Sequence, residues 1–297
     1  MTQAEQTAPE FLTVKELAAL LRIKERKVYE LASSGEVPVS RVTGKLLFPE
    51  QEIRAWIAAG RSGGEAIAAA SRPAIFLGSH DPLLEWALRQ SRCGLATRFD
   101  GSFDGLDRFA AGEGVACGLH LHDEAADDWN VPQVVERFAG ENVVLVSWVR
   151  RSRGLVVRPE DAGAIRSIPG LAGRRMAARP AETGTQALFD RMRAAAGLAA
   201  EAIDVAETAP SENDAVQAVA QGAADAAFGL ESFARLYNLA FVPIVSERFD
   251  LLVDRKAWFD GPLQTFMAFV RSDHFRSRAA DMAGYDASGA GEVRWNA

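Results

Sequence analysis

The sequence predicts an α/β protein that carries a small, basic, helical module at its front. Three observations predict this. From about residue 74 onward, short apolar runs such as "AIFLG", "ACGLHLHD" and "ENVVLVSWVR" alternate with helical stretches such as "TQALFDRMRAAAGL"; strands alternating with helices make an α/β architecture with a largely parallel sheet. Residues 11–62 hold nine Lys/Arg against six Glu, a local +3 that leaves −10 for the rest of a chain whose net charge is −7. Between the two regions, "AAGRSGGEAIAAASRP" is rich in small residues and reads as a linker. The expected division is therefore 1–60, a linker at 61–73, and 74–297.

Composition bounds the function. The 297 residues are 48% hydrophobic and 25% charged, ordinary values for a globular protein. No run of about 18 apolar residues predicts a membrane span. The polar start "MTQAEQTAPEF" has no apolar signal core, so a cytoplasmic location is expected. Cys93 and Cys117 lack metal-ligand spacing and read as free thiols. The acidic total argues against coating of nucleic acid by the whole chain, while the charge asymmetry points to a charged-polymer partner for the front part.

In the front module, Thr13 followed by Glu16 forms a capping box. The helix "VKELAALL" then buries Val14, Leu17, Ala18 and Leu21. "RIK" turns the chain, and a second helix, "ERKVYELASSG", places Val28 and Leu31 inward and stops at Gly35. Two short helices across a tight turn make a helix-turn-helix. "VSRVTGKLLF" alternates apolar and polar residues across Thr43-Gly44, which predicts a hairpin wing. Pro49 starts a third helix with Ile53, Trp56 and Ile57 on one face. Such a second helix fits a DNA major groove, and a wing lies along the backbone or minor groove. Lys24, Arg26, Lys27 and Tyr29 are the candidate DNA contacts on the helix; Ser40, Arg41, Thr43 and Lys45 are those on the wing. The alternative is a solvated face on a small packing module.

From Phe11 to Ile57 the pattern "T-x-x-E-L-A-x-L-L", "V-Y-x-L", "G-x-[IV]-P", a basic wing and a terminal "I-x-x-W" resembles the excisionase-like, MerR-type winged helix-turn-helix module. The resemblance implies that the second helix reads double-stranded DNA. One small module makes few contacts, so a homodimer on paired half-sites is expected.

The large module has several hydroxyl-bearing strand-to-helix turns. In "IFLGSHDPLLEWAL", Gly78 permits a tight turn and places Ser79 and His80 where a helix begins. Helix starts offer free N–H groups and a positive dipole, hence attract anions. Ser79 or Asp81 also reads as an ordinary cap. Ser102 after "DG", Thr183-Gly184-Thr185 before "QALFD", and Ser211 or Asn213 before "AVQAVA" begin helices in the same way. Several such turns in one domain suit a ligand clamped between two lobes. His120 and His122 share a strand face at i, i+2. Asp123 points away from them and no cysteine pair assists, so no metal site is expected.

The segments "GSHDPLLEWAL", "GSFDGLDRFAAGEGVACGLHLHD", "RSRGLVV", "GTQALFD", "AVAQGAADAAFGLE", "ERFDLLV" and "FRSRAADMAGYDASGAGEV" resemble, in order and spacing, a periplasmic-binding-protein-like (type II) domain of the molybdate- and tungstate-binding kind. In that family the domain is found fused to helix-turn-helix modules. The resemblance implies two α/β lobes, one at about 74–147 plus 246–297 and the other at about 148–245, with the ligand between them. It implies that Ser79, His80, Ser102, His120, Thr183, Gly184 and Thr185 face the ligand, with Asp123 and Asn130 in the "H-L-x-D…N" pattern and Arg151 or Arg153 near the crossover. Two turns depart from the family. "AETGTQ" carries Glu182 and Gln186 where a glycine and an arginine are usual, and "PED" brings Glu160 and Asp161. A carboxylate beside an oxyanion is repelled, so the effector is a small anion such as molybdate or tungstate, or a different small molecule.

No G-x-S-x-G, Walker, G-x-G-x-x-G or H-E-x-x-H motif occurs, and no enzymatic activity or bound cofactor is expected. The reading is a ligand-responsive transcriptional regulator. The alternative is a binding protein whose front module mediates protein contacts.

Overall fold

A computed structural model describes residues 11–41, 44–59 and 72–297. Thr43, the expected hairpin tip, and most of the expected linker lie outside the described residues. The chain divides into two compact units, Met1–Ala69 and Ala70–Ala297.

The first unit holds strand β1 (Phe11–Leu12), helices α1 (Val14–Leu21) and α2 (Glu25–Ser34), strand β2 (Phe48–Pro49) and helix α3 (Glu50–Ala59). The capping box is present: Glu16 N donates to Thr13 Oγ at 3.3 Å, and Thr13 N donates to the Glu16 carboxylate at 2.8 Å. Helix α2 ends at Gly35, whose φ of 75° is the left-handed conformation that glycine adopts freely. Leu17, Val28, Phe48 and Ile53 are fully buried and form the centre of this unit's core. The wing differs from the expected hairpin. Among the described residues its arms meet at the single bridge Ser40–Leu47, and the second arm continues into β2, which pairs with β1. The chain start thus competes for the strand's hydrogen bonds, and Phe48 gains a buried place. Ile57 is exposed rather than sharing the inner face of α3 with Ile53.

The second unit is built on one long sheet. In chain order its elements are β3 (Ile75–Gly78), α4 (Pro82–Ser91), β4 (Ala96–Arg98), α5 (Ser102–Ala110), β5 (Ala116–Leu119), β6 (His122–Asp123), β7 (Asp128–Trp129), α6 (Val131–Phe138) and β8 (Val143–Val157). They continue with β9 (Arg175–Ala178), α7 (Gly184–Ala195), β10 (Asp204–Thr208), α8 (Glu212–Ala220), β11 (Ala226–Leu230), α9 (Glu231–Leu236) and β12 (Ala240–Asp254). The chain closes with α10 (Arg255–Trp258), α11 (Gly261–Val270), α12 (Asp273–Ala280), β13 (Tyr285–Asp286) and β14 (Val293–Asn296). The strand order is β10-β9-β11-β8-β12-β5-β3-β4, with β13 and β14 also on β8.

Within each lobe the short strands are parallel: β3 with β4 and β5, and β9 with β10 and β11. The sheet as a whole is mixed, which corrects the largely parallel expectation. The 15-residue strands β8 and β12 run antiparallel to each other through both lobes, because a chain that crosses to the second lobe must also return. One half of this ribbon serves each lobe. In the first lobe Val143–Val149 pair with Phe249–Asp254, and Asp250–Val253 pair in turn with β5; in the second, Leu155–Val157 pair with Ala240–Val242 on one edge and with β11 on the other.

Side chains alternate across the sheet as the pleat demands. Phe76, Val144, Val146 and Leu251 face α4, α11 and α12, whereas Leu77, Val143, Leu145 and Leu252 face α5 and α6. In the second lobe Leu155 and Phe228 pack on α7, and Val156 packs on α8 and α9. Both faces are covered, so the strands read as nearly continuous apolar runs.

Candidate functional site

The turns that follow β3, β4, β5, β9 and β10 gather around one cleft of about 330 Å³. All five lie at the carboxyl ends of parallel strands, where open α/β sheets place ligands. Ser79 and His80 come from the first lobe's β3–α4 turn, Phe99, Asp100 and Gly101 from its β4–α5 turn, and His120 from the end of β5. Arg179, Pro180 and Glu182–Thr185 come from the second lobe's β9–α7 turn, and Pro210, Ser211 and Glu212 from its β10–α8 turn.

Six of the seven residues expected to face a ligand line this cleft: Ser79, His80, His120, Thr183, Gly184 and Thr185. Ser102 lies behind them, fully buried, with its hydroxyl 2.7 Å from that of Ser79 and accepting from His120 N at 3.2 Å. The turn carrying Ser79 depends on Gly78. Its φ is +98°, and a Cβ there would strike the backbone of Gly118. Thr183 caps α7 by accepting from Gln186 N at 3.2 Å, and Ser211 caps α8 by accepting from Asp214 N at 3.1 Å. Helix α5 starts at Gly101 with no side-chain cap, so its first N–H groups are left for another acceptor. His80 is exposed and pairs with Glu85 at 3.0 Å.

Beneath the cleft lies a buried ionic network that joins both lobes to the crossing strands. Arg153 binds Glu247 through two bonds of 2.8 and 2.9 Å and reaches Glu212 Oε1 at 2.8 Å. Thr185 Oγ donates to the same Glu212 oxygen at 2.8 Å. Arg151 pairs with Glu247 and, at 3.0 Å, with Asp81, which also accepts from Trp148 Nε1 at 3.0 Å and Tyr285 Oη at 2.7 Å. Burial opposes every charge here, but the opposite charges outweigh it. Arg151 stays protonated through Glu247 and Asp81, and Arg153 through Glu212 and Glu247. Against its burial, the same arginines hold Glu212 down to about 2 and Glu247 well below the usual carboxylate range.

His120 stacks 5.9 Å from Phe249, and burial lowers its pKa although Glu247 and Arg151 also act on it. The imidazole is therefore neutral near pH 7. Arg151 and Arg153, placed near the crossover by sequence, are components of this network and not of the cleft wall.

Among the cleft residues that sequence reasoning passed over, Arg179 and Glu212 carry charge that bears on a ligand. Arg179 directly follows β9 and precedes Pro180; burial lowers its pKa, and no carboxylate among the described residues lies within 4.0 Å of it. Glu212, one residue after the Ser211 cap, is tied to an arginine 59 positions away, a pairing with no local signature.

Other expected residues have different work. Asn130, at φ +61°, accepts from Leu121 N at 2.6 Å and donates to Asp250 at 2.7 Å, while Asp123 binds Ala126 N and Gln133. Both brace the β6–β7 hairpin. His122 meets Asp127 at 3.3 Å and Trp129 edge-on, a different set of partners from that of His120. Glu160 and Asp161 pair with Arg158 at 3.3 and 2.7 Å away from the cleft, so of the departures from the family pattern only Glu182 meets the ligand space.

In the first unit, Lys24 stands at the N-cap of α2, and Lys24, Arg26, Lys27 and Tyr29 are all exposed. Arg26 and Lys27 each approach Glu30 at 3.3 Å. Arg41 donates to Ala32 O at 2.6 Å, which holds the wing arm against the end of α2. Arg26, Tyr29 and Arg41 border one shallow groove. Lys45 is exposed outside it.

A helix-turn-helix domain model matches residues 11–61, and a PBP superfamily domain model matches residues 85–271. The uncharacterized protein YvgK of Bacillus subtilis (strain 168) is 24% identical over 302 residues, covering 95% of this chain and 96% of that protein. An uncharacterized Clostridium pasteurianum protein, named for the 5′ region of a ferredoxin gene, is 29% identical over 76 residues, covering 25% of this chain and 67% of its own. Among solved structures, a putative phosphate ABC transporter substrate-binding protein from Clostridium perfringens, with bound phosphate, shares the fold at a TM-score of 0.50 and 14% identity, over 72% of this chain and 98% of that one. The match over 85–271 spans more than half of the sequence, and the chain belongs to the PBP superfamily, as a member with an N-terminal helix-turn-helix domain.

Proposed function

We propose that the protein is a one-component transcriptional regulator. Its front unit, of the excisionase or MerR winged type, binds double-stranded DNA in the cytoplasm as a homodimer, and its second unit binds a small effector that alters this. The observation that carries the reading is the pairing in one chain of a helix-turn-helix domain, basic and exposed on α2, with a two-lobed binding domain that has a lined cleft. Neither matched family is enzymatic.

The effector carries an anionic group. The open start of α5, the starts of α7 and α8, and Arg179, which has no carboxylate within 4.0 Å among the described residues, favour negative charge in the cleft. Molybdate and tungstate are the oxyanions that the sequence resemblance implies. A different small organic ligand is the second reading, favoured by Glu212 and Glu182 on the wall, which repel an oxyanion.

Fluorescence anisotropy of the full chain with labelled duplex DNA tests the regulator. Affinity that falls steeply between about 50 and 200 mM salt supports phosphate contacts. No DNA binding at any salt, with or without effector, rules the regulator out and leaves a binding protein whose front unit contacts proteins.

A further inference from the structure

The polar groups that the cleft leaves unsatisfied do not all ask for an anion. Arg179 lines the cleft with Nη1 on the carbonyl of Ala209, its Nε buried without a partner, and no carboxylate within 4.0 Å among the described residues. It calls for an acceptor. Glu212 calls for the opposite. Its Oε1 is taken by Arg153 and Thr185, while its Oε2 is buried with no hydrogen-bond partner. His120 Nδ1 stands 3.4 Å from Glu247 Oε2, and the carboxylate favours the neutral tautomer with its proton on that nitrogen, although no hydrogen bond closes between them. Its Nε2 then presents a lone pair towards Gly184, where a Cβ would lie 3.5 Å away. A symmetrical oxyanion has only acceptors to offer and would leave both Glu212 Oε2 and His120 Nε2 facing its own negative charge.

The charge inventory agrees. Arg151, Arg153 and Arg179 stand against Asp81, Glu212 and Glu247, three cations and three carboxylates. Asp100 is paired with Arg98 at 2.9 Å, and Glu182 remains at the mouth. Added to this balanced set, a dianion brings two uncompensated charges into a partly buried site. A ligand with no net charge brings none. The cleft, at about 330 Å³, lies at the small end of the ~300–1,000 Å³ typical of small-molecule sites.

We propose that the effector is a small organic zwitterion, with its anionic group on Arg179 and the helix starts and its protonated amine on Glu212 and His120. This rests on the effector-binding reading of the cleft and replaces the inorganic oxyanion within it.

Thermal shift and titration calorimetry on the full chain test it, using as probes the L-α-amino acids, ω-amino acids, aminoalkylphosphonates, molybdate, tungstate and phosphate. Each zwitterionic hit is repeated as its N-acetyl derivative and its carboxamide or ester. We expect at least one zwitterion to raise the melting temperature, and each blocked form to bind tenfold or more weakly, since a charge-assisted bond is lost at one end. Arg179→Gln should weaken the zwitterion at least tenfold. Among the described residues no carboxylate lies within 4.0 Å of Arg179, so this variant should fold even where Glu212→Gln, which loosens Arg153, does not. A shift with molybdate, tungstate or phosphate alone overturns the proposal, as does equal binding of the N-acetyl derivative. Either result leaves an effector cleft in place. No shift with any zwitterion also overturns it. The DNA titration decides the regulator reading separately.

Discussion

The network under the cleft concentrates the energetics in a few residues. Arg153 and Glu247 are fully buried and doubly bonded to each other. Removing one partner strands the other charge, so Glu247→Ala should destabilise the protein by about 3–5 kcal/mol in urea unfolding. Glu212 and Glu247 titrate below the usual 4.5. A depressed carboxyl contributes stability that is present above 4.5 and is lost as pH falls from there towards about 2. Urea midpoints measured from neutral pH downward should drop in this window, and less steeply in Glu212→Gln.

His120 gives the residue scale a ligand test. It faces Glu247, Arg151, Arg153 and Glu212, and burial holds its pKa below 6.5. Acidification therefore places a cation in the cleft only below that value. The affinity of a zwitterion bound through its amine should hold down to 6.5 and fall only as the pH drops below it. That of an oxyanion should rise. Calorimetry above and below that value separates the two.

At the level of elements, local grammar was legible and long-range partners were not. The box at Thr13 and Glu16, the stop at Gly35 and the hydroxyl-bearing starts of α7 and α8 are read from neighbouring residues, and they occur as read. The β1–β2 ladder was not, since Leu12 and Phe48 have no local reason to pair. Likewise "PED" looked like part of the ligand turn until Arg158 and Arg174 drew its carboxylates elsewhere. Arg179 and Glu212 were missed because an arginine just past a strand and a post-cap glutamate are common, and only the fold brings them to one cleft. Thr13→Ala should cost about 1 kcal/mol in the first unit. Gly78→Ala should cost more, because a left-handed φ of +98° and the Gly118 backbone both oppose a Cβ. Differential scanning calorimetry reads both.

For the whole molecule, the alternation of strands and helices and the charge asymmetry were enough to read a basic front unit and an α/β unit. The antiparallel ribbon of β8 and β12 was not readable, because its two strands are joined only through the entire second lobe. This ribbon carries Arg151, Arg153 and Glu247 at its middle, where they meet Asp81 of one lobe and Glu212 of the other. A ligand that engages Glu212 therefore acts on groups held by both lobes. The energy it can transmit is limited to its difference in affinity for the two states of the protein. In the proposed regulator the cleft and the α2 surface act on each other, and such linkage is reciprocal. The direct measurement is the affinity of the full chain for duplex DNA without and with a saturating cleft ligand, alongside the affinity for that ligand without and with DNA. Linkage requires that both affinities change by the same factor. DNA affinity that is identical with the cleft empty and filled would contradict it.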